Sequence, residues 1–347
     1  MKNINLTNEE LADFFSEFAI LRKAQISEKE ALQMMNDGEG KKNRELFLTT
    51  LMEASDLVAG LKQFPAVIPE YIIALLEKNN SKVNVLEDIA EYLTGLSLTY
   101  NGVSYKQQIK AAFLYPIIVL FFLLVFSTLM LVFVVPAFDF MFKGFGKELP
   151  AFTQLFISLS QALQHNWLIF FISLVIIIQV WRFSIARFES FRKFVGEVIL
   201  KTPFIGAFIK TIESAVVIKA FLLLCSYQFD LAQALRLSAS ATHNTVFKIA
   251  LTESADNVAK GSGLADSLKQ ARIFSAKTLR LLNAFEKTDE LKILNTLEQS
   301  YQTQIPIGVS VSLRILNVVL LIVCWIAVGS MVIAMYLPMF MMGEAVG

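Results

Sequence analysis

The chain has 347 residues, 31 basic and 30 acidic side chains, and 55% hydrophobic content that includes 30 Phe. So much apolar sequence is out of place in a soluble protein, and the near-neutral net charge of +1 gives no reason to expect nucleic acid as a partner. The charge is unevenly spread: residues 1–110 hold 12 basic and 16 acidic groups, net −4, whereas 182–314 hold 17 and 11, net +6. Each of these regions reads as a water-soluble domain attached to a bilayer.

Residues 1–110 are expected to form a helical domain. Leu11, Phe14, Phe15, Phe18 and Leu21 recur at spacings of three and four, and Arg22 falls off that stripe. Thr7 with Glu10 predicts a capping box at the start. Asn36-Asp37-Gly38 and Asn79-Asn80-Ser81 read as turns between helices, and Val85, Ile89, Tyr92 and Leu93 carry the same periodicity further. No apolar leader separates Met1-Lys2-Asn3 from the acidic Glu9-Glu10, so this domain is expected in the cytoplasm.

Residues 111–138 contain no charged side chain and are expected to be a first transmembrane helix, since a crossing needs ~20 predominantly apolar residues. Pro116 lies near its start, where a missing N–H is tolerated, and Pro136 is expected to end it. A short periplasmic segment, 139–164, then leads to a second span at 165–185, entered near Trp167 and less purely apolar because of Gln179. Residues 186–312 form a second helical domain, with Leu291, Leu294, Leu297 and Tyr301 at helical spacing and a turn at Lys260-Gly261-Ser262-Gly263. A third span, 313–340, is expected to end near Pro338, followed by a periplasmic tail, 341–347. The competing reading of all three is a very hydrophobic helix buried in a soluble protein.

Arg182, Arg187, Arg192 and Lys193 stand at or beyond the end of the second span and Arg314 at the start of the third. The excess of positive charge on that side places the N-terminus in the cytoplasm and the C-terminus in the periplasm. Cys225 and Cys324 then occupy different compartments, as free thiols rather than a bridge.

The two domains are related. At an offset of 203, Phe18, Leu21, Gln25, Ala31 and Leu32 recur as Phe221, Leu224, Gln228, Ala234 and Leu235, and Gly60-Leu61 as Gly263-Leu264. The offset slips to 209 where Glu77-Lys78 matches Glu286-Lys287 and Tyr92 matches Tyr301; Pro136 and Phe138 match Pro338 and Phe340 beyond the first and last spans. The fold class is therefore all-α: two duplicated cytoplasmic helical bundles plus three transmembrane helices.

Val135-Pro136-Ala137-Phe138, then Phe142, Phe145-Gly146, Leu149-Pro150 and Thr153, leading to Trp167, resembles the pattern after the first span of the secretion F family. These are the inner-membrane platform proteins of type IV pilus and type II secretion machines. The duplication and the spacing of the spans extend the resemblance over nearly the whole chain, and Gly263-Leu264-Ala265-Asp266-Ser267-Leu268 is similar to the family's Gly-x-Ser-Leu segment. The family's Gly-Glu followed by Gly is altered: Glu77 and Glu286 remain, but the flanking glycines do not, and Gln25 and Gln228 stand in the turn where the family has small residues. This is a divergent branch, read as nearest a type IVb pilus system.

The resemblance implies a non-enzymatic assembly platform in the bacterial inner membrane. Its implied partners are a cytoplasmic hexameric ATPase, pilin or pseudopilin transmembrane helices, other inner-membrane pilus proteins, membrane lipids and further copies of itself. A type II secretion platform is the alternative within the family, and a membrane transporter subunit the alternative outside it. The residues fit a chain without cofactor or metal. His165 and His243 have no ligand neighbours at metal spacing, and Gly38-Glu39-Gly40-Lys41-Lys42 lacks the Ser or Thr a phosphate loop needs. The core of each span holds no charge to mark an ion path. The candidate coupling or interface residues are Glu77, Glu286, Gly60, Gly263, Pro136, Pro338 and the small-residue pair Ser330 and Ala334. For the two glutamates the competing reading is an exposed face of a solvated helix.

Overall fold

The computed structural model describes residues 6–36, 42–96, 99–100, 103–134, 136–137, 140, 151–202, 205–242 and 244–346. The fold is all-α, as the periodicity predicts, apart from a two-rung ladder in which β1 (Thr99–Tyr100) pairs antiparallel with β2 (Val103–Ser104). The chain divides into two compact units. One holds residues 1–106 with 193–309, and the other 107–192 with 310–347.

The first unit contains both repeats. The first runs α1 (Asn8–Lys23), α2 (Glu28–Asn36), α3 (Lys42–Glu53), α4 (Leu57–Leu61), α5 (Glu70–Lys78) and α6 (Val83–Leu96). The Thr7 hydroxyl accepts the Glu10 N–H at 3.2 Å while the Glu10 carboxylate accepts the Thr7 N–H at 2.9 Å, so the capping box is present. Leu11, Phe14, Phe15 and Phe18 form the buried stripe of α1. Phe14 meets Phe47 edge-on at 5.1 Å between ring centroids, and Phe47 in turn meets Phe64 at 5.1 Å. This line of aromatic rings ties α1 to α3 and to the loop after α4.

The second repeat has the same order: α10 (Ile205–Ser226), α11 (Leu231–Ser238), α12 (Thr245–Ala259), α13 (Leu264–Ala271), α14 (Ala276–Thr288) and the start of α15 (Leu291–Val346). Asp230, Asn244 and Ser275 cap α11, α12 and α14 with side-chain oxygens that accept first-turn N–H groups. Buried residues recur in register: Phe18 with Phe221, Ala31 and Leu32 with Ala234 and Leu235, and Tyr92 with Tyr301. The backbone repeats as well. Gln25 at φ 64° corresponds to Gln228 at φ 55°, and Asn80 at φ 50° to Asp289 at φ 52°, so left-handed residues end the same helices in both copies.

One pairing from the sequence needs correction. Asp56 caps α4 and Gly263 caps α13, which sets Leu57 against Leu264 and Leu61 against Leu268, all four buried. Gly60 is therefore inside α4 and is not the counterpart of Gly263. The sequence alignment was one helical turn out, a shift that still sets Leu61 against a leucine, Leu264, and so is easily missed in an apolar pattern.

In the second unit, α7 (Tyr105–Leu129) continues into a π-helical turn, Met130–Val134, and is followed by α8 (Ala151–Arg187); α9 (Glu189–Lys201) leads back to the first unit. Among the described residues, two helical stretches are long and apolar enough to cross a membrane by length and composition, Leu114–Val134 and Asn317–Ala334. From Ile117 to Val134 none of the described side chains is buried, and Ile117, Phe121, Phe122 and Leu124 are 60% or more exposed. Hydrocarbon exposed on this scale calls for a lipid solvent. The expected span at 165–185 lies within α8, whose apolar part among the described residues, Val175–Ile185, is shorter than a crossing. Pro338 does not end its helix, because α15 runs on to Val346. An internal proline removes one backbone hydrogen bond, a loss that membrane helices absorb through neighbouring groups. Phe138, Phe142, Phe145, Gly146, Leu149, Pro150 and His243 lie outside the described residues.

The left-handed glutamines give a direct test of the backbone. Replacing Gln228 by Gly should stabilise the first unit by about 0.5–1 kcal/mol, since a non-glycine residue with positive φ is strained. Thermal unfolding of the purified protein measures this, and a lower midpoint would contradict the assigned turn.

Candidate functional site

The two retained glutamates occupy corresponding places at the ends of α5 and α14, and each faces the start of the preceding short helix. Their environments differ for one local reason. Asp56 supplies the cap of α4 through its own side chain, which accepts the Ala59 N–H at 2.6 Å. Gly263 has no side chain to do the same for α13. Glu286 caps that helix instead, with both of its carboxylate oxygens 2.9 Å from the Leu264 N–H. An anion there also complements the helix dipole. Glu77, relieved of capping, pairs with Lys62 at 2.5 Å, with both side chains about half exposed. Glu286 thus has a structural role, whereas Glu77 lies in an open groove with Glu28, Asp56 and Lys62.

The other candidates are placed as follows. Gly60 is buried, and a Cβ there would sit 2.7 Å from Leu51 Cδ2 and 3.2 Å from Ala54 Cβ, so the glycine lets α4 approach α3. Pro136 is helical and half-buried, whereas of Pro338 only the backbone, inside α15, is described. Ser330 turns its hydroxyl back to the Ala327 carbonyl at 2.9 Å. Ala334 is 2% exposed, and its carbonyl accepts a 2.8 Å hydrogen bond from the buried Thr153 hydroxyl in the first turn of α8. The small residue at 334 thus serves a helix contact within the second unit.

The sequence did not point to a seam between the two repeats inside the first unit. There α5 and α6 pack on α10 and α11. The Tyr71 N–H donates to Ser240 Oγ at 3.2 Å, and Tyr227 donates its hydroxyl to Asp88 at 2.5 Å. Lys78 donates to the Gln228 carbonyl at 2.6 Å and stands 4.1 Å from the Phe229 ring centroid. Tyr71 and Tyr92 meet edge-on at 5.3 Å, and burial drives both phenols well above their usual pKa. Lys219 of α10 enters the same seam. One signal was available in the sequence: Lys219 is a lone charge within the apolar run Ala215 to Cys225. Among the described residues no group of three or more His, Cys, Asp or Glu side chains could hold a metal ion.

A helical repeat followed by an apolar helix is also the unit that the comparisons pick out. Residues 218–338, from α10 through the second apolar stretch, match the family described as Type II secretion system (T2SS), protein F. The resemblance read from the sequence therefore holds, and relatives extend it beyond that region. The chain is 27% identical to the type IV pilus assembly protein PilC of Pseudomonas aeruginosa, over 97% of this chain and 91% of that protein. It is 28% identical to the type IV pilus assembly protein TapC of Aeromonas hydrophila, over 70% of this chain and 59% of that one. With the type II secretion system protein F of Aeromonas hydrophila it shares 25% identity, over 88% and 80% of the two lengths.

Two outcomes follow for single residues. Glu286→Ala should cost about 1 kcal/mol, the usual loss of a helix cap, whereas Glu77→Ala should change stability by less than about 0.5 kcal/mol, as for an exposed ion pair. Chemical denaturation of both variants measures the difference, and equal effects would contradict the capping assignment. Burial, helped by nearby Asp289, pushes the Cys225 thiol up to about 12. The folded protein should therefore resist alkylation at Cys225 at pH 8, where the thiolate fraction is small, and react once denatured. Mass spectrometry of the modified peptide reads this out.

Proposed function

We propose that this protein is the inner-membrane assembly platform of a type IV pilus system, coupling a cytoplasmic hexameric ATPase to extraction of pilins from the bilayer and their addition to a filament. The observation that carries this reading is end-to-end similarity to a type IV pilus assembly protein, joined to a physical division of labour. Hydrocarbon-coated helices supply a surface for pilin transmembrane helices and lipids. The charged, duplicated first unit supplies a surface for the ATPase and other inner-membrane pilus proteins. Several copies act together, and the protein itself carries out no reaction.

In this reading the first unit is cytoplasmic, three spans cross the membrane at 111–138, 165–185 and 313–340, and the C-terminus is periplasmic. The charge distribution supports that order: Arg182 stands in the last turn of the middle span, Arg187, Arg192 and Lys193 follow it, and Arg314 stands in the first turn of the last. A second reading, a type II secretion platform, is favoured by the description of the matched family and by the secretion relatives. The two share a mechanism and differ in cargo.

Deletion of the gene should abolish surface filaments while pilin accumulates in the inner membrane, and a plasmid copy should restore filaments. Electron microscopy and immunoblotting of fractionated cells measure this. Normal filaments with loss of secreted enzymes would favour the secretion reading, and no defect in either would refute both.

A further inference from the structure

The repeat–repeat seam holds a largely covered cation whose paired carboxylate stands 3.8 Å away. Lys219 lies between Val217, Ile218, Ala220 and Phe221, each 2% exposed or less, and its own side chain is only 17% exposed. From α10 of the second repeat it reaches towards α6 of the first, where its ammonium stands 5.7 Å from the Tyr92 ring centroid. It also fills the space beside Gly95: a Cβ on that glycine would lie 1.8 Å from Lys219 Nζ. Any other residue at position 95 would displace the cation.

Two carboxylates attract the ammonium, Glu298 on α15 at 3.8 Å and Glu91 on α6. Glu87 of α6, Ser16 and Ile20 of α1 and Gln302 of α15 line the same groove. Burial still lowers the Lys219 pKa, outweighing the attraction of Glu298 and Glu91. The charged form is therefore less comfortable in the closed seam than in water, the condition under which exchanging a buried ion pair for apolar groups gains stability.

We propose that Lys219 makes the contact between the two repeats a metastable hinge, closed by the surrounding apolar packing and biased towards opening by the buried ammonium. An opened seam returns the cation to water and separates α6 from α10. Under the platform reading, on which only this functional meaning rests, such a hinge is where load applied to one repeat becomes movement against the other. Lys219 acts here as a positioning residue.

The Tyr71 amide reports seam opening directly. It lies in the first turn of α5, where no intrahelical acceptor exists, and its hydrogen bond goes across the seam to Ser240. In the purified full-length protein, the paired substitution Lys219→Met with Glu298→Gln should slow exchange at that amide about tenfold. Lys219→Gln, which removes the charge and keeps a polar tip, should slow it as well. Thermal stability of the wild type should also rise relative to the paired variant as pH approaches the ordinary lysine value of 10.5, because the closed seam binds fewer protons than the open one. Unchanged or faster exchange in the paired variant would overturn the hinge. Should that variant fail to fold, unchanged or faster exchange in Lys219→Gln would overturn it equally. Exchange is read on the isolated chain, so its outcome is independent of whether the protein builds pili.

Discussion

None of the described side chains from Ile117 to Val134 is buried by protein, and this constraint governs the rest of the chain. Leaving one large apolar side chain in water rather than buried costs about 1.5–3 kcal/mol. A handful of such residues would exceed the about 5–15 kcal/mol that holds a typical domain together. A hydrocarbon solvent removes that cost, and it in turn excludes charge and unpaired backbone. Ion pairs and caps therefore concentrate in the repeats, while the second unit relies on helices, small side chains and contacts such as Thr153 with Ala334.

Duplication explains much of the first unit. Each repeat builds its core from the same helices in the same order, and even the left-handed turn residues recur. Divergence shows where a local need changed. The first copy caps its short helix with Asp56; the second has glycine there, and Glu286 supplies the missing acceptor. A glutamate retained in both copies thus need not do the same work in both. The seam adds something neither copy has alone, because it joins α5 and α6 of one repeat to α10 and α11 of the other.

Much of this was legible in the residues. The stripe Leu11, Phe14, Phe15, Phe18 fixed the buried face of α1, and Thr7 with Glu10 fixed its start, because periodicity and capping act over a few residues. Charge-free runs located two apolar helices for the same reason. The exact register between repeats was harder: leucines recur every turn near Gly60 and Gly263, so an alignment slipped by one turn reads almost as well. Pro338 misled because propensity describes isolated helices, and α15 passes through it. The seam was out of reach, since Tyr71 and Ser240 stand 169 residues apart and no local pattern joins them. Only the isolated charge of Lys219 in an apolar run hinted at it.

We propose that both repeats share one compartment and face a cytosolic motor. The most direct measurement places single cysteines at Lys29 and Lys292, in a background with Cys225 and Cys324 replaced by Ser, and treats cells with a membrane-impermeant maleimide. Both sites should stay unlabelled when only the outer membrane is permeable and become labelled once the inner membrane is opened. Labelling of either site before the inner membrane is breached would put that repeat outside the cytoplasm and contradict the account.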